Sequence, residues 1–223
     1  MALLEIKGVS KAFDETPIIE NTSITINPGD TIALSSPSGS GKSTMLAMAG
    51  LLLTPDSGEI ITEDGRNALA LGDKELSHVR QRLLGFVFQS TQLVGSLRAV
   101  ENVMSPANFV SDKLPFNPKE RAEELLERFG LKDRMYHYPH QLSVGQKRRV
   151  AVARAMILEP KIIIADEPTN DLDEESATEV SNALFDYAEK GNALLYATHI
   201  ATLAARAKTV MTLHGKTFEV QEG

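Results

Sequence analysis

The nine residues Ser36 to Thr44, SPSGSGKST, lie between the apolar run Thr31 to Leu34 and the helix-forming stretch Met45 to Leu53. A glycine-rich turn feeding a helix aims several backbone N–H groups and the positive end of the helix dipole at one point. That arrangement suits phosphate oxygens. Ser38, Gly39, Ser40, Gly41, Lys42, Ser43 and Thr44 make up the expected phosphate cradle. Lys42 adds a mobile cation for the β- and γ-phosphates, and the Ser43 hydroxyl is a ligand for Mg²⁺. Ser36 stands where the G-x-x-x-x-G-K-[ST] pattern has its first glycine. Pro37 pushes that residue into the extended region, so no positive φ is required of it.

Two further places carry chemistry. The apolar run Ile162 to Ala165 leads straight into Asp166 and Glu167, so two carboxylates emerge at the carboxyl end of a buried strand, where α/β sheets bind ligands. Asp166 would hold Mg²⁺, directly or through water, and Glu167 would polarise an attacking water. Ser143 to Ala155, SVGQKRRVAVARA, begins with a helix-capping hydroxyl and makes a second anion-binding helix start. Ser143, Gly145 and Gln146 are the candidates there, whereas Lys147, Arg148 and Arg149 read as the solvated face of an amphipathic helix.

The elements that must position these residues follow from periodicity and turn chemistry. Short strands are expected at Leu3 to Lys7, Pro17 to Ile19, Ser23 to Ile26 and Glu59 to Thr62, with Asn27-Pro28-Gly29-Asp30 as a turn. They predict an antiparallel patch beside the phosphate loop. Between Ser90 and Ala155 the chain is helix-rich. Asn117 is an N-cap, Pro118 takes the first helical position and Glu120 completes the capping pattern. The stripe Ala122, Leu125, Leu126 and Phe129 follows and closes at Gly130. Strand Lys161 to Ala165, helix Glu174 to Ala188 capped by Asp173, and strands Ala193 to Thr198 and Thr209 to Leu213 then give an α/β order with a parallel sheet.

Composition bounds the reading. The 223 residues suffice for one sizeable core, or for a core with a smaller lobe. A formal charge of −7 argues against a protein that binds nucleic acid by neutralising many phosphates, and no nucleic-acid partner is expected. The absence of cysteine rules out disulfides and thiolate-held metals and fits a cytosolic setting. Glu5 and Lys7 interrupt the start, so no secretory leader is expected, and Met45 to Leu53 is far shorter than the ~20 residues that span a bilayer. Any membrane association must come through a partner.

Five motifs in series, covering nearly the whole chain, carry a family resemblance: the phosphate loop, Gln89 in FVFQ, LSVGQ at Leu142 to Gln146, IIIADEPTNDLD at Ile162 to Asp173, and His199 in YATHI. The sequence resembles the ABC-type ATPases, the nucleotide-binding subunits of ABC transporters. The resemblance implies an α/β fold: a P-loop NTPase core with a mostly parallel sheet, an N-terminal antiparallel β-subdomain and an inserted helical subdomain. Residues 1–89 and 156–223 would form the β-subdomain and core, and 90–155 the helical subdomain with the signature motif.

The resemblance further implies Mg²⁺-dependent ATP hydrolysis in a head-to-tail dimer, each ATP held between the P-loop of one copy and the signature helix of a like or homologous copy. On that pattern Gln89 contacts Mg²⁺ and water, Asp173 belongs to a loop crossing the dimer, and His199 orients the γ-phosphate and the water. Phe13, in SKAF, resembles the aromatic residue that stacks on adenine, with a buried core role as the alternative. His78, His137, His140 and His214 are read as packed or surface residues. Val144 departs from the family's LSGGQ, placing a β-branched side chain where backbone should approach the opposite phosphate.

LRAVENV at Leu97 to Val103 and DEPTNDLD at Asp166 to Asp173 look most like the ATPases of lipoprotein-release, macrolide-efflux and cell-division systems. Integral membrane permease subunits are then the expected partners, and the chain would sit in the cytoplasm, peripheral on the inner face of the membrane. A cytosolic ABC-type scaffold, as in iron–sulfur cluster assembly, is the alternative, and a small-molecule P-loop kinase a more distant one.

Overall fold

A computed structural model describes residues 1–221; Glu222 and Gly223 lie outside the described residues. Strands β1 (Leu4–Phe13) and β2 (Thr16–Ile26) form a hairpin, followed by β3 (Thr31–Ser35), helix α1 (Lys42–Ala49), β4 (Ser57–Thr62), α2 (Asp73–Leu83) and β5 (Leu84–Val87). Three helices come next, α3 (Ala99–Met104), α4 (Pro118–Arg128) and α5 (Val144–Met156). The chain closes with β6 (Ile162–Asp166), α6 (Glu174–Glu189), β7 (Ala193–Thr198), α7 (Ala201–Ala204), β8 (Thr209–His214) and β9 (Thr217–Val220).

Two sheets result. One is antiparallel, in the order β2-β1-β4; the other runs β5-β6-β7-β3-β8-β9, parallel except for the β8–β9 hairpin. The expected α/β architecture with an antiparallel patch is therefore present. β2 joins the two sheets by Glu20 N–H donating to the Lys216 carbonyl at 2.8 Å.

The central strands are buried on both faces, and their side chains divide by alternation. Ile163, Ala165, Leu194 and Tyr196 face the layer of α3, α4, α5 and α6. Ile162, Ile164, Ala193 and Leu195 face α1 and the antiparallel sheet. Parallel strands place their carboxyl ends together, so Ser35, Asp166 and Thr198 finish along one edge of the sheet.

Several expected boundaries shift for local reasons. Pro17 to Ile19 and Ser23 to Ile26 belong to one strand, bent at Asn21 (φ 43°), and the first strand runs on to Phe13. The β1–β2 hairpin turns through Asp14 and Glu15, both with positive φ, without the glycine that usually marks such a turn. The helix expected to extend through Leu53 stops at Ala49. Gly50 lies against the Phe86 ring, where a Cβ would come within 2.5 Å of Cε1, and Leu51 turns left-handed. α4 matches its expected N-cap and stripe: the Asn117 side chain accepts Lys119 N–H, while the Glu120 carboxylate accepts the Asn117 side-chain Nδ2–H at 3.0 Å instead of the backbone N–H of the cap.

Between β5 and α3 the chain has no regular structure. Asn102, fully buried, holds it in place: Oδ1 accepts Val94 N–H at 2.7 Å, and Nδ2 donates to the carbonyls of Val94, Leu97 and Arg98. Asn102→Ala removes the partners of Val94 N–H and the Leu97 carbonyl, while the Val94 and Arg98 carbonyls keep the N–H groups of Leu97 and residue 102, and is expected to cost about 1–3 kcal/mol. Urea unfolding checks this; an unchanged midpoint would show that the asparagine does not hold the loop.

Candidate active site

α1 begins with Lys42, and no side chain caps it. The first N–H groups of a helix have no partner within it, so this end offers free donors to an anion. Gly41 makes the approach possible. Its φ is +96°, and a Cβ there would sit 2.9 Å from Ile18 Cγ2 and 3.0 Å from Ile19 Cδ1. Only glycine satisfies both limits. The Ser40 hydroxyl is buried without a hydrogen-bond partner, as expected of a donor set that a phosphate completes.

Ser36 behaves as Pro37 dictates: its φ is not positive, and the missing glycine costs nothing in backbone strain. The serine is used instead. Its Oγ donates to the Ser35 carbonyl at 2.7 Å and accepts Leu213 N–H at 3.0 Å, tying the loop to β8. Its carbonyl accepts Lys42 Nζ at 2.6 Å, and the Pro37 carbonyl accepts the same ammonium at 3.0 Å.

Lys42 Nζ also lies 3.6 Å from Glu167 Oε1, both side chains being nearly inaccessible. On the other side, the Nδ1–H of half-exposed His199 donates to Glu167 Oε2 at 2.9 Å. Glu167 has φ +45°, uncommon for a non-glycine, and its N–H donates to the Ala197 carbonyl of β7 at 3.1 Å. The strand end is thus turned so that the carboxylate lies between lysine and histidine. Asp166 bonds the Ser43 hydroxyl. Burial pushes its pKa up, opposed by that hydrogen bond, and the neighbouring Glu167 charge raises it further.

Phe13, Ser38, Gly39, Lys42 and Thr44 line one cavity of about 280 Å³, together with Gln89, Asp166 and Glu167. Phe13 is 46% exposed, so the core alternative fails. Lys11 Nζ sits 5.7 Å from its ring centroid. Among the described residues no cluster of three or more His, Cys, Asp or Glu side chains could hold a metal by itself. Ser43 and Asp166 instead supply a small hard-oxygen set, which suits Mg²⁺ because that ion keeps waters and takes its remaining ligands from phosphate.

The signature residues stand apart from this cavity. Ser143 caps α5, accepting Gln146 N–H at 3.2 Å, while Gln146 Oε1 accepts Ser143 N–H at 3.0 Å. Gly145 packs on the start of α6: a Cβ would come within 2.3 Å of Ser176 Oγ. Asp173 accepts both the N–H and the hydroxyl of Ser176, and these bonds lower its pKa. Val144 is more than half exposed. Among the other histidines, His137 lies beside Arg134, His140 stacks on Tyr138 and His214 contacts Thr212, all away from the cavity.

One expectation is overturned. Lys147, Arg148 and Arg149 do not form a common solvated face. Arg148 is 3% exposed and donates to the carbonyls of Phe88 and Gln89, both at 2.6 Å; Arg149 pairs with Glu179 at 2.8 Å. The sequence held a signal for this, since Arg148 precedes the buried Val152 and Ala155 by four and seven residues, on one helix face.

Comparison with known proteins agrees with this geometry. The sequence pattern described as ABC transporter matches residues 19–170. The lipoprotein-releasing system ATP-binding protein LolD 2 of Rhodospirillum rubrum is 42% identical over 218 residues, 96% of this chain and 94% of that protein. The macrolide export ATP-binding/permease protein MacB of Escherichia coli is 40% identical over 95% of this chain, which covers 33% of that longer protein. A dimeric structure of a post-hydrolysis state of the ATP-binding cassette MJ0796, bound to ADP and Pi, superposes with a TM-score of 0.87 at 33% identity, covering 99% of both chains.

Lys42→Ala removes a charge-assisted contact to phosphate and is expected to weaken ATP binding by roughly 10- to 100-fold. Isothermal titration checks this; unchanged affinity would place the nucleotide elsewhere. Asp166→Asn should act in opposite directions on the free and loaded protein. Because the native carboxyl has a raised pKa, its ionised form destabilises the fold, and the penalty grows as pH rises from the ordinary carboxylate range through that raised value. The variant's apo Tm at pH 7.5 should therefore rise by about 1–2 °C, a gain that fades toward pH 4, while stabilisation by Mg²⁺-ATP shrinks. A lower apo Tm would contradict the desolvation argument.

Proposed function

This chain belongs to the ABC transporter family, as one of its ATP-binding subunits, and from that premise we propose how its residues divide the work of hydrolysis and which kind of complex it serves. The observation that carries the reading is the continuous contact from Lys42 through Glu167 to His199 beside uncapped α1.

ATP is the substrate; Ser43 and Asp166 would hold Mg²⁺, which would supply neutralising charge for its phosphates. The α1 N–H groups and Lys42 bind and orient the terminal phosphate. Glu167 accepts a proton from water as the water oxygen bonds to the γ-phosphorus and the bond to the β-bridging oxygen breaks, leaving ADP and phosphate. His199 orients Glu167 through Nδ1, with its other ring nitrogen free for the phosphate or the water. Gln89 lies at the cavity wall, where it would serve the metal and the water, and Phe13 offers an exposed ring for the adenine.

Ser143, Gly145 and Gln146 are outside the cavity of their own chain and serve the nucleotide bound by a second copy, with Asp173 at the seam between copies. The exposed Val144 side chain stands where that approach must occur.

Membrane permease subunits are the partners of this family's ATP-binding subunits. Among the described residues no helix is long and apolar enough to cross a membrane. We place the protein on the cytoplasmic face, held there by separate permease subunits of the lipoprotein-release or macrolide-efflux kind. Similarity along nearly the full length of LolD 2 and to the ATPase portion of MacB supports this reading. Both relatives bear transporter names, which disfavours the cytosolic scaffold.

Glu167→Gln should bind ATP with ordinary affinity and hydrolyse it about 10²–10⁴-fold more slowly, as read by phosphate release; wild-type turnover would remove Glu167 from its role. Val144→Gly should raise turnover several-fold at saturating ATP. An equal or lower rate in a folded variant would show that the valine does not obstruct closure.

A further inference from the structure

Gln89 follows β5 at the start of an irregular segment, and no regular hydrogen-bond ladder fixes its backbone. Helix α5 supplies the missing restraint. Arg148 Nη1 and Nη2 donate to the carbonyls of Phe88 and Gln89. Arg154, less than two turns further along, donates from Nη1 to Gln92 and from Nη2 to Thr91, both at 2.9 Å. Two guanidinium forks on one helix thus bind four carbonyls of a five-residue stretch.

The arrangement is costly as a purely structural device. Arg148 is buried, its Nε has no partner, and carbonyl dipoles are its hydrogen-bond acceptors. Burying a cation without a direct carboxylate partner is unfavourable, and the more distant Asp171 charge offsets the desolvation of Arg148 only in part. α5 is also fixed at its other end, where Gly145 abuts Ser176 and Arg149 pairs with Glu179. The helix therefore links the signature residues at its first turn to the backbone of Gln89.

We propose that Arg148 is a positioning residue for ATP hydrolysis, holding Gln89 by its carbonyl at the wall of the nucleotide cavity, with Arg154 as the second anchor. The planar fork suits the task, since it fixes two acceptors at once, whereas a lysine ammonium would hold its carbonyls as a point charge without that geometry. The inference rests on the reading that Gln89 serves the metal and the attacking water.

The test is a double-mutant cycle on the full chain: Arg148→Lys, Gln89→Ala and both together, measuring kcat, KM for ATP and the Mg²⁺ concentration at half-maximal rate. Arg148→Lys should lower kcat by about tenfold, since misplacement of even 1 Å is costly in catalysis. It should leave KM for ATP within twofold and raise the Mg²⁺ requirement as Gln89→Ala does. The double variant should be no slower than Gln89→Ala alone. Arg154→Lys, at the other end of the segment, should show the same non-additivity and keeps the test open if Arg148→Lys does not fold.

Effects that add, with an unchanged Mg²⁺ requirement for the arginine variants, would overturn the positioning role while leaving Gln89 in place. Wild-type kcat and Mg²⁺ dependence in Gln89→Ala would overturn the reading of Gln89 and the proposal with it.

Discussion

The buried ammonium of Lys42 is the constraint around which the site is arranged. Two loop carbonyls and the Glu167 carboxylate surround it. To bring these groups together, the loop must turn tightly at Gly41, β6 must end beside β3's neighbour β7, and Glu167 must take a left-handed conformation. The lysine and the α1 donors then present positive potential to a cavity that Asp166 and Gln89 also line. A triphosphate with its metal supplies negative charge to the first group and a cation to the second. Glu167 is held between Lys42 and His199, so a bound phosphate would draw on the same ammonium that restrains the carboxylate.

On the proposed reading the chain carries two halves of a site that it cannot join by itself. One half is the cavity; the other is the first turn of α5, capped by Ser143 and packed through Gly145 on the α6 N-terminus. On the proposed reading a head-to-tail second copy brings the halves together; the ATP-binding cassette MJ0796, which this chain resembles, is dimeric. The two departures from the family pattern have different consequences. Ser36 is absorbed by the fold, its hydroxyl bonding β8 and its carbonyl holding Lys42. Val144 is more than half exposed, and on the proposed reading its side chain lies where the second copy approaches.

Much of this was legible in the sequence where one residue type admits one explanation. The phosphate loop, the strand running into Asp166 and Glu167, and the Asn117 and Asp173 caps each rest on local chemistry, and the fold places each element there. The doubly covered strands read as continuous apolar runs, which fixed their existence but not which side chain faces which layer. Other features were hidden because tertiary contacts override local signals. The Asp14-Glu15 hairpin lacks the usual glycine, Asn21 bends a strand that looks like two, and Gly50 ends α1 because Phe86 leaves no room for a Cβ. Arg148 was misread because charge outweighed position: its spacing to Val152 and Ala155 placed it on the buried face, where distant carbonyls receive it.

The central claim is that two copies close around ATP, and the most direct measurement is the solution mass of the hydrolysis-deficient Glu167→Gln protein by light scattering, with and without Mg²⁺-ATP. The account predicts a monomer of 24.3 kDa without nucleotide and twice that mass with it. A mass that stays at 24.3 kDa at ATP concentrations shown to saturate the P-loop would contradict it.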